Sequence, residues 1–155
     1  MEQDILKLEN QICFRFYSTT HNLTRLYTPL LKKFNLTYPQ YIVMLVLFEE
    51  EVIDFGDLAK KVDLKLATLT PIVKRLDELG YAHRRFNESD KRKKNIHLSS
   101  KGKVLRNEIV EVPLKLVELL NMDLETYLET MKKLDGFKSS VINALERIEN
   151  EEHTL

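Results

Sequence analysis

One stretch of this chain constrains the fold more than any other. Over residues 64–98 the apolar pattern changes once, from helix spacing to two short strand-like runs. Leu69, Ile72, Val73, Leu76 and Leu79 form one helical face, and Gly80 follows as a natural C-terminal cap. Two β-type segments come next, 81–86 and 94–98, on either side of a polar loop. Residues 84–94 hold six basic and two acidic side chains, so the hairpin has a basic tip.

A shorter helix is expected over 55–62, just before the long one. Two helices joined by a short turn form a helix-turn-helix unit, and a basic hairpin after it completes a winged helix. Further upstream, Ile5, Leu8, Ile12, Phe16, Leu23, Tyr27, Leu30 and Phe34 recur mostly at steps of three or four. They predict one long amphipathic helix, broken or kinked by Pro29 near Thr28. Thr37 is the predicted N-cap of a buried second helix over 41–48, with Pro39 at an early position. Downstream, Ser99 or Ser100 caps a helix that Pro113 bends. A last helix begins near Asn121 or Asp123, with a buried stripe of Leu124, Tyr127, Leu128, Met131, Leu134, Phe137, Val141 and Leu145.

The fold class read from this order is mainly α with a small β-hairpin. A winged helix-turn-helix occupies 36–99, and a helical dimerisation region is built from 1–35 and 100–155. The flanking helices are superfluous to a single winged helix, so their apolar faces are expected to pair with a second copy.

The chain is formally neutral, with 24 basic and 24 acidic residues, which by itself argues against nucleic acid. The distribution argues for it. Residues 60–106 carry 14 Lys and Arg against 5 Asp and Glu, so a basic middle is flanked by acidic ends. The lone cysteine, Cys13, excludes an internal disulfide and fits a reducing cytoplasm. No apolar run is long enough to span a membrane, and the N-terminus lacks the pattern of a signal peptide. A cytoplasmic protein with no membrane partner is expected. His21, His83, His97 and His153 form no ligand-type cluster, so no metal is expected. No cofactor is called for, since neither a phosphate-binding glycine loop nor a serine nucleophile motif appears.

Four segments in order resemble the MarR family of winged-helix regulators, and more narrowly its organic-hydroperoxide-sensing, one-cysteine branch. They are Leu8-Glu9-Asn10-Gln11-Ile12-Cys13-Phe14-Arg15-Phe16-Tyr17, Leu36-Thr37-Tyr38-Pro39-Gln40-Tyr41, Thr68-Leu69-Thr70-Pro71-Ile72-Val73-Lys74-Arg75-Leu76, and Asp90-Lys91-Arg92 followed by Ile96-His97-Leu98-Ser99-Ser100-Lys101-Gly102. The resemblance runs over nearly the whole chain. It implies a homodimer that regulates transcription, as a repressor, from a pseudo-palindromic double-stranded DNA operator.

In that reading the helix carrying Thr68, Thr70 and Lys74 enters a major groove, and the wing reaches a flanking minor groove. Arg92 resembles the wing-tip arginine, favoured by the negative potential of a narrow minor groove. Asp90 orients Arg92, and Lys91, Lys93 and Lys94 contact phosphate. Arg75 is the weaker candidate, because an ion pair within the helix competes for it. The chain departs from the branch at Leu64-Lys65-Leu66-Ala67, where the sensing repressors show Leu-Asp-Ser-Gly. Lys65 cannot cap as Asp would, but adds a phosphate contact. Leu66 loses the polar contact of Ser, so the operator cannot be borrowed from relatives.

Periodicity alone makes Cys13 a small buried hydrophobe. The resemblance makes it a peroxide-reactive thiol attended by Tyr17, Tyr27 and Tyr38. It implies that Tyr27 and Tyr38 reach Cys13 from the partner subunit, where their hydroxyls favour thiolate, and that Tyr17 moves after oxidation. A sulfenic acid would form first. Without a second cysteine, a mixed disulfide with a low-molecular-weight thiol follows, with over-oxidation in competition. Two other readings stay open. One is a MarR-type regulator of a small aromatic ligand with a structural Cys13. The other is a one-cysteine thiol peroxidase, for which Arg15 is poorly placed, two positions away on another helix face.

Overall fold

The computed structural model describes residues 2–86 and 94–152. The helices are α1 (Glu2–Ile5), α2 (Ile12–Leu31), α3 (Tyr38–Glu50), α4 (Phe55–Lys61), α5 (Leu66–Glu78), α6 (Ser100–Ile109), α7 (Glu111–Leu119) and α8 (Leu124–Glu152). Helices α3, α4, α6 and α8 begin where a side chain bonds with a backbone amide of the first turn, while α2 and α5 begin without such a cap. The Asp54 carboxylate accepts from the amides of Gly56 and Asp57 at the start of α4. Ser99 Oγ accepts from Gly102 N–H at 2.9 Å to start α6, and Asp123 accepts from Thr126 N–H at 2.7 Å to start α8. At α3 the N-cap is Thr37, whose own amide donates to Gln40 Oε1 at 2.9 Å.

Three strands form one antiparallel sheet in the order β1-β3-β2: β1 (Val52–Asp54), β2 (Ala82–Phe86) and β3 (Lys94–Leu98). His83 lies opposite His97 and Phe86 opposite Lys94, which is the expected hairpin. Its tip, residues 87–93, lies outside the described residues. The sheet's third strand, β1, is not anticipated by the sequence. It pairs Ile53 with Ile96 and ends in Asp54, the residue that caps α4.

The chain divides into two compact units, Met1–Val112 and Pro113–Leu155. In the first, Leu31, Val43, Met44, Leu47, Leu58, Leu69, Leu76 and Ile96 are fully buried. This core joins the end of α2, the helix-turn-helix and the sheet.

The expected first helix is divided. A 3₁₀ turn at Leu8–Asn10 and an extended Gln11 separate α1 from α2. The side-chain amide of Asn10 donates to the Asp4 carbonyl, and that of Gln11 to the Ile5 carbonyl. These local bonds take acceptors that a continuing helix would have used. The expected break near Thr28 falls later. Helix α2 runs through Pro29 to Leu31 before tightening into 3₁₀ at Lys32–Phe34. Pro29 has no amide to bond the carbonyl of Arg25 one turn back, and both residues are exposed.

Helix α8 forms as expected, but its stripe is not buried in a single copy. Leu124, Leu128, Met131, Leu134, Phe137, Val141 and Leu145 remain 38–68% exposed. The periodicity states which residues share a face, not what covers that face. Among the described residues no helix is long and apolar enough to cross a membrane.

Candidate DNA interface and thiol site

Helix α5 buries Leu69, Val73 and Leu76 and turns its other side outward. Lys65 occupies the N-cap in an extended conformation and makes no side-chain capping bond. Thr68, Thr70, Lys74 and Arg75 are all exposed. The Thr70 hydroxyl donates to the Leu66 carbonyl at 2.8 Å. Arg75 lies 3.1 Å from Glu78 Oε2, so the competing ion pair is present. Lys74 is 4.0 Å from Glu78, with its side chain 77% exposed. Such surface pairs are weak enough for phosphate to displace.

The C-terminal end of α5 is held more firmly. Gly80, at φ +75°, forms a Schellman turn: Gly80 N–H donates to the Asp77 carbonyl and Tyr81 N–H to the Leu76 carbonyl. Ser99 Oγ donates to the Gly80 carbonyl at 2.6 Å, and Lys101 Nζ to the Leu79 carbonyl at 2.7 Å. Tyr81 is buried, which pushes its phenol pKa up, and the negative charge of Glu108 adds to this. The end of α5 is therefore clamped to the root of the wing and to α6.

On the wing, Lys94 Nζ lies 5.4 Å from the centre of the Phe86 ring. Asp90, Lys91, Arg92 and Lys93 lie outside the described residues. Arg84 and Arg85 on β2 are exposed basic groups that belong beside the named candidates. The Arg84 guanidinium sits 4.9 Å from the Phe55 ring and so links the wing to the start of α4. The signal for both was the basic run itself.

Cys13 lies in the first turn of α2 and is exposed. Tyr17 follows one turn later on the same face and is 69% exposed. Tyr27 lies fourteen residues along the same helix, about 21 Å away at helical rise. It contacts Tyr38, with ring centroids 4.7 Å apart, and Tyr41 at 5.6 Å. The structure thus gathers Tyr27 with Tyr38 and Cys13 with Tyr17, and one chain does not bring the two groups together.

A family model described as transcriptional regulator SarA/Rot matches residues 25–109, from the second half of α2 through α6. The chain belongs to the SarA/Rot family of transcriptional regulators. Within it, this SarA/Rot chain is similar to the organic hydroperoxide resistance transcriptional regulator of Bacillus subtilis, at 39% identity over 110 residues, 71% of this chain and 75% of that one. It is 33% identical to the HTH-type transcriptional regulator SarZ of Staphylococcus saprophyticus, over 88% of this chain and 94% of that one. Its structure resembles reduced AbfR of Staphylococcus epidermidis bound to DNA, with a TM-score of 0.81, 30% identity and coverage of 94% and 99%. AbfR has also been solved over-oxidised and bound to DNA, at a TM-score of 0.72 with 31% identity and coverage of 90% and 98%. The winged-helix architecture and the resemblance to the hydroperoxide branch are both borne out for this SarA/Rot regulator.

Proposed function

We propose that this protein is a homodimeric, DNA-binding repressor that senses peroxide through Cys13 and leaves its operator when that thiol is converted to a mixed disulfide. Residues 36–99 bind DNA, while 1–35 and 100–155 join the two copies. The observation that carries the reading is the separation along α2. An exposed thiol sits at one end, and the Tyr27–Tyr38 pair lies about 21 Å away at helical rise. A second copy running antiparallel supplies the tyrosines that the first cannot bring to its own Cys13.

DNA binding rests on the exposed basic and hydroxyl side chains of α5, on Arg84, Arg85 and Lys94 of the wing, and on the wing-tip residues Asp90, Lys91, Arg92 and Lys93. AbfR is seen on DNA both reduced and over-oxidised. That favours a disulfide-sized adduct, rather than added oxygen alone, as the release signal in this chain. The thiolate attacks the peroxide O–O bond and keeps one oxygen as sulfenic acid while the alcohol or water departs. A small thiol then displaces that oxygen as water. The added bulk disturbs the tyrosine contacts and alters the spacing of the two recognition helices. Half-sites lie about 34–36 Å apart, so a shift of a few ångströms breaks the register. The reaction is stoichiometric, so the protein is a sensor and not a peroxidase.

The test is a gel shift with organic hydroperoxide and a low-molecular-weight thiol, comparing wild type with Cys13→Ser. Wild type releases the duplex and acquires one adduct per chain, while the variant stays bound. Equal release by both proteins would remove Cys13 from the mechanism, and sustained peroxide turnover would favour the enzyme.

A further inference from the structure

The outward side of the recognition helix exposes Leu66, Ala67 and Pro71 at the end that leads, with the hydroxyls of Thr68 and Thr70 between them. Leu66 opens α5 and is 53% exposed, while Leu69, Val73 and Leu76 fill the core behind it. Ala67 and Pro71 are exposed beside it. Thr70, one turn on, commits its hydroxyl proton to the Leu66 carbonyl. From residue 66 to residue 73 the chain contains no Arg, Lys, Asn or Gln, the side chains that bind purine edges through two bonds. Lys65 precedes this stretch at the N-cap and Lys74 follows it, so cations bracket this surface without occupying it.

The Cα–Cβ bonds of a helix tilt toward its N-terminus, so the Leu66 side chain leans past the leading end of α5. In helix-turn-helix complexes that end meets the base edges. A leucine there would be solvated at a cost in the unbound protein and would strand base-edge polar groups without partners. One major-groove feature matches it: the C5-methyl of thymine.

We propose that Leu66 is a specificity-determining residue that packs on a thymine methyl in each half-site, so that the protein reads its operator there by apolar contact. The proposal rests on the reading of α5 as the major-groove helix and adds the chemistry by which it reads.

The experiment separates the two. Duplexes are selected from a random library with the purified, reduced, full-length protein. The best one is resynthesised with deoxyuridine replacing one thymidine at a time, which deletes only the methyl. At the contacted position wild type loses about fourfold in affinity per half-site, the value of one buried methyl. Leu66→Ser binds the thymidine and deoxyuridine duplexes equally, and Leu66→Met restores the discrimination. Selection of a defined duplex with no deoxyuridine effect in wild type, or an equal effect in Leu66→Ser, overturns the proposal while leaving DNA binding intact. Failure to select any duplex overturns both.

Discussion

The Tyr81 hydroxyl donates to the carbonyl of Phe34 at 3.2 Å, across 47 positions of sequence. Phe34 ends the 3₁₀ turn after α2, the helix that carries Cys13. Tyr81 follows the Schellman turn that ends α5. One buried hydrogen bond therefore ties the helix that carries Cys13 to the end of α5. Tyr81→Phe keeps the ring but strands the carbonyl, so unfolding free energy should fall by about 1 kcal/mol in urea titration.

The same residue predicts a pH effect. Burial raises the Tyr81 pKa above its ordinary 10.0, so the folded protein holds that proton longer than the unfolded chain. Its contribution is fully present below about pH 10 and is lost as pH rises through the raised value. Thermal melts from pH 8 to 11 should show a steeper alkaline decline in wild type than in Tyr81→Phe. Parallel curves would disprove the assignment.

Gly102 lets α6 approach the root of the wing. A Cβ there would lie 2.4 Å from the Tyr81 carbonyl oxygen and 2.5 Å from Leu98 Cδ1. The first neighbour is backbone and cannot swing aside. Gly102→Ala should destabilise the first unit by about 3 kcal/mol, the upper end of overpacking costs, as read by chemical denaturation.

Lys74 makes only a loose contact with Glu78 and presents its ammonium on the open side of α5. Lys74→Ala should weaken binding to all duplexes alike and flatten the plot of log affinity against log salt by about one unit per subunit. Equal slopes for variant and wild type would place Lys74 off the phosphates.

The exposed stripe of α8 gives a test of assembly. Leu128 is 57% exposed and sits between Leu124 and Met131 on that face. Buried against a second copy, it would not tolerate a carboxylate. Leu128→Asp should halve the mass seen in sedimentation at micromolar concentration and lose operator binding without losing helix content. An unchanged mass would free α8 from the dimer.

Local chemistry along the chain was enough to place most elements. Thr37, Ser99, Asp123 and Gly80 mark helix ends by hydrogen bonds within a few residues, and the apolar spacing of α5 is a property of that segment alone. The resemblance carried the thiol and the basic candidates further than periodicity could, since a lone cysteine on a helix has no pattern of its own. Other features needed partners distant in sequence. Strand β1 exists because Ile96 and its neighbours present a free edge some forty residues later. The Tyr81–Phe34 bond depends on how two distant turns meet. The open stripe of α8 and the exposure of Leu66 depend on what the folded chain leaves uncovered. Propensity and periodicity act within a few residues. Pairing and burial are settled by the packed whole, which alone decides which apolar faces turn inward and which stay exposed.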